Sequence, residues 1–441
     1  MIPTPHSRAW AAPMASGPLD AVVHLPGSKS LTNRELVLAA LADGPGTLHA
    51  PLHSRDSALM VEALRAMGVG VEEVGSGPFG PDLRVTPGAA LRGASVDCGL
   101  AGTVMRFLPV VAALATGAVD FDGDPHARLR PNATTIEALR GLGVRVDDGG
   151  TGTMPFTVHG TGSVRGGELR IDASASSQFV SALLLAAPRF ELGLTLRHTG
   201  ERLPSLPHVD MTIATLRARG VNASSPEPGT WRVEPGPIAA ADVAIEPDLS
   251  NAAPFLAAAL VAGGRVTVAG WPASTTQVGA ELPGLLTRLG ASVSIEGDRC
   301  TVDGAAGVAA APLVGGTIDM AHAGELSPTI AALGVFADAP LTITGIGHIR
   351  GHETDRIDAL VDDLALLGGA ASGDADSITV QPAALHGGTW AAYADHRIAT
   401  AGALLGLAVS GVEVDDIGAT AKTIPEFPQL WQRMLDATDA P

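Results

Sequence analysis

The sequence predicts an α/β protein of two similar domains, each made of three repeated β-α-β-α-β-β units, six repeats in all. Two periodicities and one compositional break carry that expectation. A short polar or glycine-bearing patch runs into an alanine- and leucine-rich helical stretch six times, with Leu41, Leu114, Ala187, Leu260, Leu333 and Gly406 recurring about every 73 residues. Behind it, Leu64-Arg65-Ala66-Met67-Gly68-Val69 returns as Leu139-Arg140-Gly141-Leu142-Gly143-Val144 and Leu216-Arg217-Ala218-Arg219-Gly220-Val221, and more loosely around Gly290 and Gly368. Each copy reads as a helix closed by glycine and followed by a strand. The break is residues 222–237, the stretch richest in Pro, Gly and Ser, which places a crossing between domains near 244–247.

Within the first repeat, residues 21–25 alternate as a strand and stop at Pro26-Gly27. Thr32 and Glu35 form a capping-box pattern, so a helix is expected to open there and run to about Leu41. Asp56 is the expected cap of the second helix, which ends at Gly68, and strands follow at 69–74 and 82–85. The last repeat is incomplete after Trp431, so the N-terminal strand is expected to complete the C-terminal domain. The domains are then 1–26 with 247–441, and an inserted 27–246.

Composition narrows the class. At 441 residues, 46% hydrophobic but only 3% aromatic, the core must be built from Ala, Val and Leu, with 54 Gly and 32 Pro marking many tight turns. The formal charge of −18 argues against nucleic acid and anionic membranes as partners. Cys98 and Cys300 make neither a disulfide framework nor a metal pattern. Residues 1–17 lack the basic and apolar regions of a secretion signal, and no apolar run reaches the roughly 18 residues of a membrane helix. A cytoplasmic, monomeric protein is expected.

The patches before the repeated helices hold the residues suited to anions. They are Pro26-Gly27-Ser28-Lys29-Ser30, Gly99-Leu100-Ala101-Gly102-Thr103, Ala175-Ser176-Ser177-Gln178, Asp248-Leu249-Ser250-Asn251, Gly324-Glu325-Leu326-Ser327 and Tyr393-Ala394-Asp395-His396-Arg397. Backbone N–H groups and the positive end of the helix dipole make such starts natural phosphate and carboxylate sites. Lys29 does not lie in a Walker motif, whose glycine spacing is absent. The ionisable run His348-Ile349-Arg350-Gly351-His352-Glu353-Thr354-Asp355-Arg356 lacks the second histidine that a zinc-protease motif needs after Glu353, and no metal is expected.

Together these runs resemble the 5-enolpyruvylshikimate-3-phosphate synthase family. Pro26 to Arg34 is similar to its signature, and Leu100-Ala101-Gly102-Thr103-Val104-Met105-Arg106 to its N-A-G-T-x-x-R segment, with Leu100 where many members have Asn and Phe107 where many have Pro. Gly123-Asp124-Pro125 with Arg128-Leu129-Arg130-Pro131 looks like the family's G-E/D-P…R-P loop, Arg130 being the matching arginine. Glu353-Thr354-Asp355-Arg356 matches E-T-D-R, Asp395-His396-Arg397 matches D-H-R, and Ala421-Lys422-Thr423 matches A-K-T. His352 stands where many members have lysine. Asp319 followed by Glu325 and Thr329 resembles the segment of the catalytic acid, with Glu325 in place of the usual Asp.

The resemblance implies an inverse α/β barrel-like fold and transfer of the enolpyruvyl group of phosphoenolpyruvate to the 5-hydroxyl of shikimate 3-phosphate, with no cofactor and with competition by glyphosate. By resemblance, Lys29, Glu325 and Glu353 are catalytic. Shikimate 3-phosphate falls to Lys29, Ser30, Arg34, Ser176, Ser177, Gln178, Ser205, Glu325 and His352. Phosphoenolpyruvate falls to Lys29, Gly102, Arg130, Gln178, Arg356, Arg397 and Lys422. Two alternatives stand beside this reading. The sister transferase acting on UDP-N-acetylglucosamine normally carries a reactive cysteine in the loop matching 122–131, which has none. A non-catalytic phosphometabolite-binding protein would have no use for Glu325 and Glu353 beside anionic ligands.

Overall fold

The computed structural model describes residues 9–437. It divides into two compact units, one holding the described residues up to Leu25 and from Pro247 on, the other Pro26–Glu246.

In the Pro26–Glu246 unit the repeats carry the helix pairs α1 (Lys29–Ala40) and α2 (Arg55–Ala66), α3 (Gly102–Ala112) and α4 (Ala133–Gly141), α5 (Gln178–Ala186) and α6 (Pro207–Ala218). In the other unit they are α7 (Ala252–Ala262) and α8 (Leu282–Arg288), α9 (Ser327–Leu333) and α10 (Arg356–Leu366), α11 (His396–Gly406) and α12 (Phe427–Asp436). Each of the six polar patches opens the first helix of its pair. The repeats around Gly68, Gly143, Gly220, Gly290 and Gly368 end their second helices with glycine at φ 100, 83, 76, 112 and 85°, a left-handed turn that a side chain would strain.

Each repeat contributes a small mixed sheet. In the second, Arg92–Asp97 runs parallel to Thr116–Asp122, which pairs antiparallel with Phe156–Thr161, itself antiparallel to Arg145–Asp147. Five four-stranded sheets of this kind occur among the described residues, together with a three-stranded one. Within one unit α1, α3 and α5 touch one another, and within the other α7, α9 and α11 do. These helices are buried nearly along their whole length, whereas strands such as Leu19–Val23 alternate buried and exposed. The helices are therefore the inner layer and the sheets the outer one. Low aromatic content suits this arrangement, because Ala and Leu let three helices approach closely; Phe255, Phe427 and Trp431 form a local exception with ring centroids 5.3–5.6 Å apart.

The structure corrects three local expectations. The strand at Leu19–Val23 does not serve the repeat of α1; it pairs parallel with Gly264–Ala269 in the repeat of α7. The repeat of α1 takes its first strand from the far end of its own unit, where Val243–Ala244 pairs parallel with Gly46–His49. The final repeat is completed by Trp10–Ala11, antiparallel to Val412–Val414. Thr32 is not a cap either. Ser28 caps α1, Thr32 Oγ1 accepts from Leu52 N at 3.0 Å, and Glu35 turns inward to Arg219 at 2.6 Å. Nor is Asp56: Ser54 and Ser57 form the capping box of α2, leaving Asp56 in the first turn. Among the described residues no helix is long and apolar enough to cross a membrane.

Candidate active site

Each unit gathers its own cluster of the residues named from sequence. In the Pro26–Glu246 unit, α1 begins with Lys29, whose Nζ lies 3.8 Å from the buried carboxylate of Asp56. α1 is tied to α3 by Asn33 Nδ2, which donates to Thr103 Oγ1 at 2.7 Å. That tie sets the start of α3, where Gly102 faces Gln178 and Arg130. A Cβ on Gly102 would lie 3.3 Å from Gln178 Oε1 and 3.6 Å from both Nη atoms of Arg130. Glycine thus keeps a narrow space open between an amide and a guanidinium.

The two arginines of the 123–131 loop have different duties. Arg128 is paired with Asp122 at 2.7 and 2.8 Å on the surface. Arg130 directs inward, and its Nε and Nη1 are buried without a hydrogen-bond partner. Ser176 Oγ accepts from Gln178 N at 3.2 Å, and Ser177 stands at the N-terminus of α5. Ser205 sits at φ 51°, a strained conformation for a non-glycine residue, and its carbonyl accepts from His208 N at 3.0 Å.

Arg34, one turn along α1 from Ser30, is only 1% exposed. It donates to Thr212 Oγ1, the Ser30 carbonyl, Ser181 Oγ and the His208 carbonyl at 2.8–3.2 Å, with its guanidinium over the Phe107 ring. Four protein bonds make it first a brace between α1, α5 and α6.

The second cluster is a continuous ion network. Ser250 donates to Glu325 Oε1, and Arg397 Nη2 lies 3.7 Å from Glu325 Oε2. Arg397 Nη1 donates to the Ser250 carbonyl at 3.3 Å. Asp395, fully buried, caps α11 through Arg397 N and Ile398 N and receives Arg356 Nε at 2.7 Å and Nη2 at 3.2 Å. Arg356 Nη2 also reaches Glu353 Oε2 at 3.1 Å, and Glu353 Oε1 takes Lys422 Nζ at 2.5 Å. Burial opposes the charge of Arg356, but the carboxylates of Asp395 and Glu353 outweigh it and hold its pKa above the ordinary value.

His352 completes the chain. Arg356 Nη1 lies 2.9 Å from His352 Nδ1. A guanidinium can only donate, so Nδ1 accepts and the ring in this network is the neutral tautomer protonated at Nε2. His348 stacks edge-on to it at 5.8 Å, and no metal-binding group of three or more His, Cys, Asp or Glu occurs among the described residues.

Sequence reasoning left out three members of these clusters. Ser250 and Asp395 lie in patches it quoted, but hydroxyls and caps are too common to be singled out. Arg106 carried a clearer signal, a lone charge in the apolar run of α3.

The family model for EPSP synthase (3-phosphoshikimate 1-carboxyvinyltransferase) matches residues 13–431. A curated 3-phosphoshikimate 1-carboxyvinyltransferase of Kocuria rhizophila is 53% identical over 433 residues, covering 97% of this chain and 96% of that protein. Among solved structures, EPSP synthase of Acinetobacter baumannii aligns with TM-score 0.79 and 22% identity, over 97% of this chain and 98% of that one. The enolpyruvyl transferase NikO of Streptomyces tendae aligns with TM-score 0.73 and 20% identity, over 96% of each chain. Those two likenesses speak to the fold; the match along nearly the whole sequence speaks to descent, and the chain belongs to the EPSP synthase family.

Proposed function

We propose that this protein transfers the enolpyruvyl group of phosphoenolpyruvate to the 5-hydroxyl of shikimate 3-phosphate and releases inorganic phosphate, a step toward chorismate and the aromatic amino acids. The observation that carries the reading is the 53% identity to a 3-phosphoshikimate 1-carboxyvinyltransferase across 97% of the chain. It also sets aside the UDP-N-acetylglucosamine alternative and the non-catalytic one.

The reaction adds and then eliminates. The 5-oxygen attacks C2 of phosphoenolpyruvate as its proton leaves to a base, and the methylene carbon takes up a proton to become methyl. The tetrahedral intermediate then loses a proton from that methyl as the C2–O bond to phosphate breaks. Glu325 is assigned as the base for the hydroxyl and Glu353 as the group that exchanges the proton at carbon. Lys29 stabilises the departing phosphate.

Binding roles follow the chemistry of each group. Gly102, Arg130, Gln178, Lys29 and Lys422 are assigned to the phosphate of phosphoenolpyruvate, and Arg356 and Arg397 to its carboxylate. Ser176, Ser177 and Ser205 are assigned to the phosphate of shikimate 3-phosphate, with Ser30, Arg34, Gln178, Glu325 and His352 around its ring and carboxylate. In the structure Lys422 and Arg356 are engaged with Glu353, and Arg397 faces Glu325. An anionic substrate that draws these cations away frees both carboxylates for proton transfer, so substrate arrival itself readies the acid–base groups.

A phosphate-release assay with phosphoenolpyruvate tests the reading. Turnover is expected with shikimate 3-phosphate and not with UDP-N-acetylglucosamine; the reverse preference overturns it. Glyphosate should compete with phosphoenolpyruvate. The protein is taken to act in the cytoplasm as a monomer, which light scattering on the purified chain checks.

A further inference from the structure

Arg106 has no part in the roles above, yet it is the most unusual charge in the molecule. It lies one turn beyond Gly102 on α3 and is 4% exposed. Its guanidinium rests over the Phe179 ring at 5.3 Å, and Nε and Nη1 are buried without a hydrogen-bond partner. Burial, then repulsion from Arg130, pushes its pKa down to about 9, and no carboxylate offsets them.

The same unit shows how this fold ordinarily treats a buried arginine. Arg34 sits over Phe107 at 5.4 Å but donates four hydrogen bonds, and Arg219 is forked onto Glu35 at 2.6 and 3.0 Å. Arg106 has the aromatic platform without the partners. Arg130, the cation that repels it, has orphaned buried nitrogens of its own and borders the space kept open by Gly102 beside Gln178. Two guanidinium groups that repel each other, both with buried unpartnered N–H donors, are arranged for an anion that supplies what the protein withholds.

We infer that Arg106 is a positioning residue of a two-arginine phosphate cradle, the inner cation behind Arg130, Gly102 and Gln178, completed by the phosphate of a bound ligand. Its charge deepens the positive field of the cradle and holds Arg130 toward the anion rather than touching the reacting atoms. The inference rests on the enolpyruvyl-transfer reading only for the ligand's identity, phosphoenolpyruvate; the cradle itself requires only a phosphate group.

The test uses the full chain, with inorganic phosphate and then phosphoenolpyruvate as probes. In wild type, phosphate should raise Tm in a saturable way. Arg106→Met, which keeps bulk over Phe179 but removes the charge, should melt no lower than wild type without phosphate and bind phosphate at least about tenfold more weakly. Its KM for phosphoenolpyruvate should rise by a similar factor while kcat stays within about threefold. Arg106→Lys, which retains a charge, should recover part of the phosphate affinity and decides the matter if the Met variant does not fold. A Met variant that melts lower yet binds phosphate like wild type makes Arg106 a structural brace and overturns the inference; so does a Lys variant as weak as Met. The two readings separate cleanly, since a wild type that binds phosphate through Arg106 but turns over no shikimate 3-phosphate sinks only the proposed reaction.

Discussion

Asp363 on α10 should make the stability of this protein fall as pH rises toward neutrality, and Asp363→Asn should abolish that fall. The side chain is fully buried. Oδ1 accepts from Ala391 N and from the Tyr393 hydroxyl, each at 3.3 Å, while Oδ2 is buried without a partner. Burial, reinforced by Asp415 and Asp362 against those two bonds, raises its pKa from 3.8 to about 7. The folded protein therefore keeps a proton that the unfolded chain gives up near its ordinary value. Between about pH 4 and 7 the native state binds more protons than the unfolded one, so stability declines with rising pH and levels off above 7. The full span corresponds to about 4 kcal/mol, an upper bound because the interior relaxes around a new charge. Asn keeps the acceptor but buries an unpartnered amide N–H, which costs about 1–3 kcal/mol at every pH. In urea melts, the variant should gain on wild type by about 2–3 kcal/mol between pH 5 and pH 8 and be the more stable of the two at pH 8. The difference between the two proteins isolates this one group from other titrations. If that difference is the same at both pH values, Asp363 is ionised throughout and the reasoning fails. The locus also bears on the site, because Tyr393 and Ala394, at φ 52 and 53°, lead directly into Asp395 and its pairing with Arg356.

Arg219→Ala should destabilise by about 3–5 kcal/mol in denaturant melts, since Glu35, whose pKa burial already raises despite Arg219, would be left as an unpaired buried carboxylate. Lys29→Met should remove turnover and lower stability by about 1–3 kcal/mol in denaturant melts, because the buried carboxylate of Asp56 would lose the cation that stands 3.8 Å away. Gly102→Ala should raise KM for phosphoenolpyruvate about tenfold with Tm unchanged, because the new methyl meets Gln178 Oε1 and Arg130 rather than backbone; an unaltered KM would place that ligand elsewhere.

What could be read in the sequence was whatever is decided locally. The glycines at 68, 143, 220, 290 and 368 end helices for a backbone reason that needs no partner, and each took its left-handed turn. The polar patches marked the six helix starts for the same reason. Capping was misread where two local signals competed: Thr32 and Glu35 fit a capping box, but Ser28 lies a turn earlier and Glu35 is claimed by an arginine 184 residues away. Strand partners were beyond reach because pairing is non-local. Nothing near Leu19–Val23 reveals Gly264–Ala269 as its neighbour, and the two-residue Val243–Ala244 is too short for any period. At the site, residue types were legible and pairings were not. Arg34 and Arg130 look alike in sequence, but one is a satisfied brace and the other a donor set without partners.

That contrast in pairing bears on which part of a substrate supplies its affinity. The network of Glu325, Glu353 and Asp395 with Arg356, Arg397 and Lys422 is balanced, three carboxylates against three cations. A substrate carboxylate can enter it only by exchange, forming one ion pair while breaking another, and such exchange returns little free energy. Arg130, backed by Arg106, has no such partner to lose, so a phosphate there gains charge-assisted hydrogen bonds and relieves the repulsion between the two guanidinium groups. Phosphate should consequently protect the protein against thermal unfolding at concentrations where pyruvate, which keeps the carboxylate but lacks phosphate, has no effect. Equal protection by the two would mean that the balanced network yields to a carboxylate alone, and that the unpaired guanidinium groups add nothing to binding.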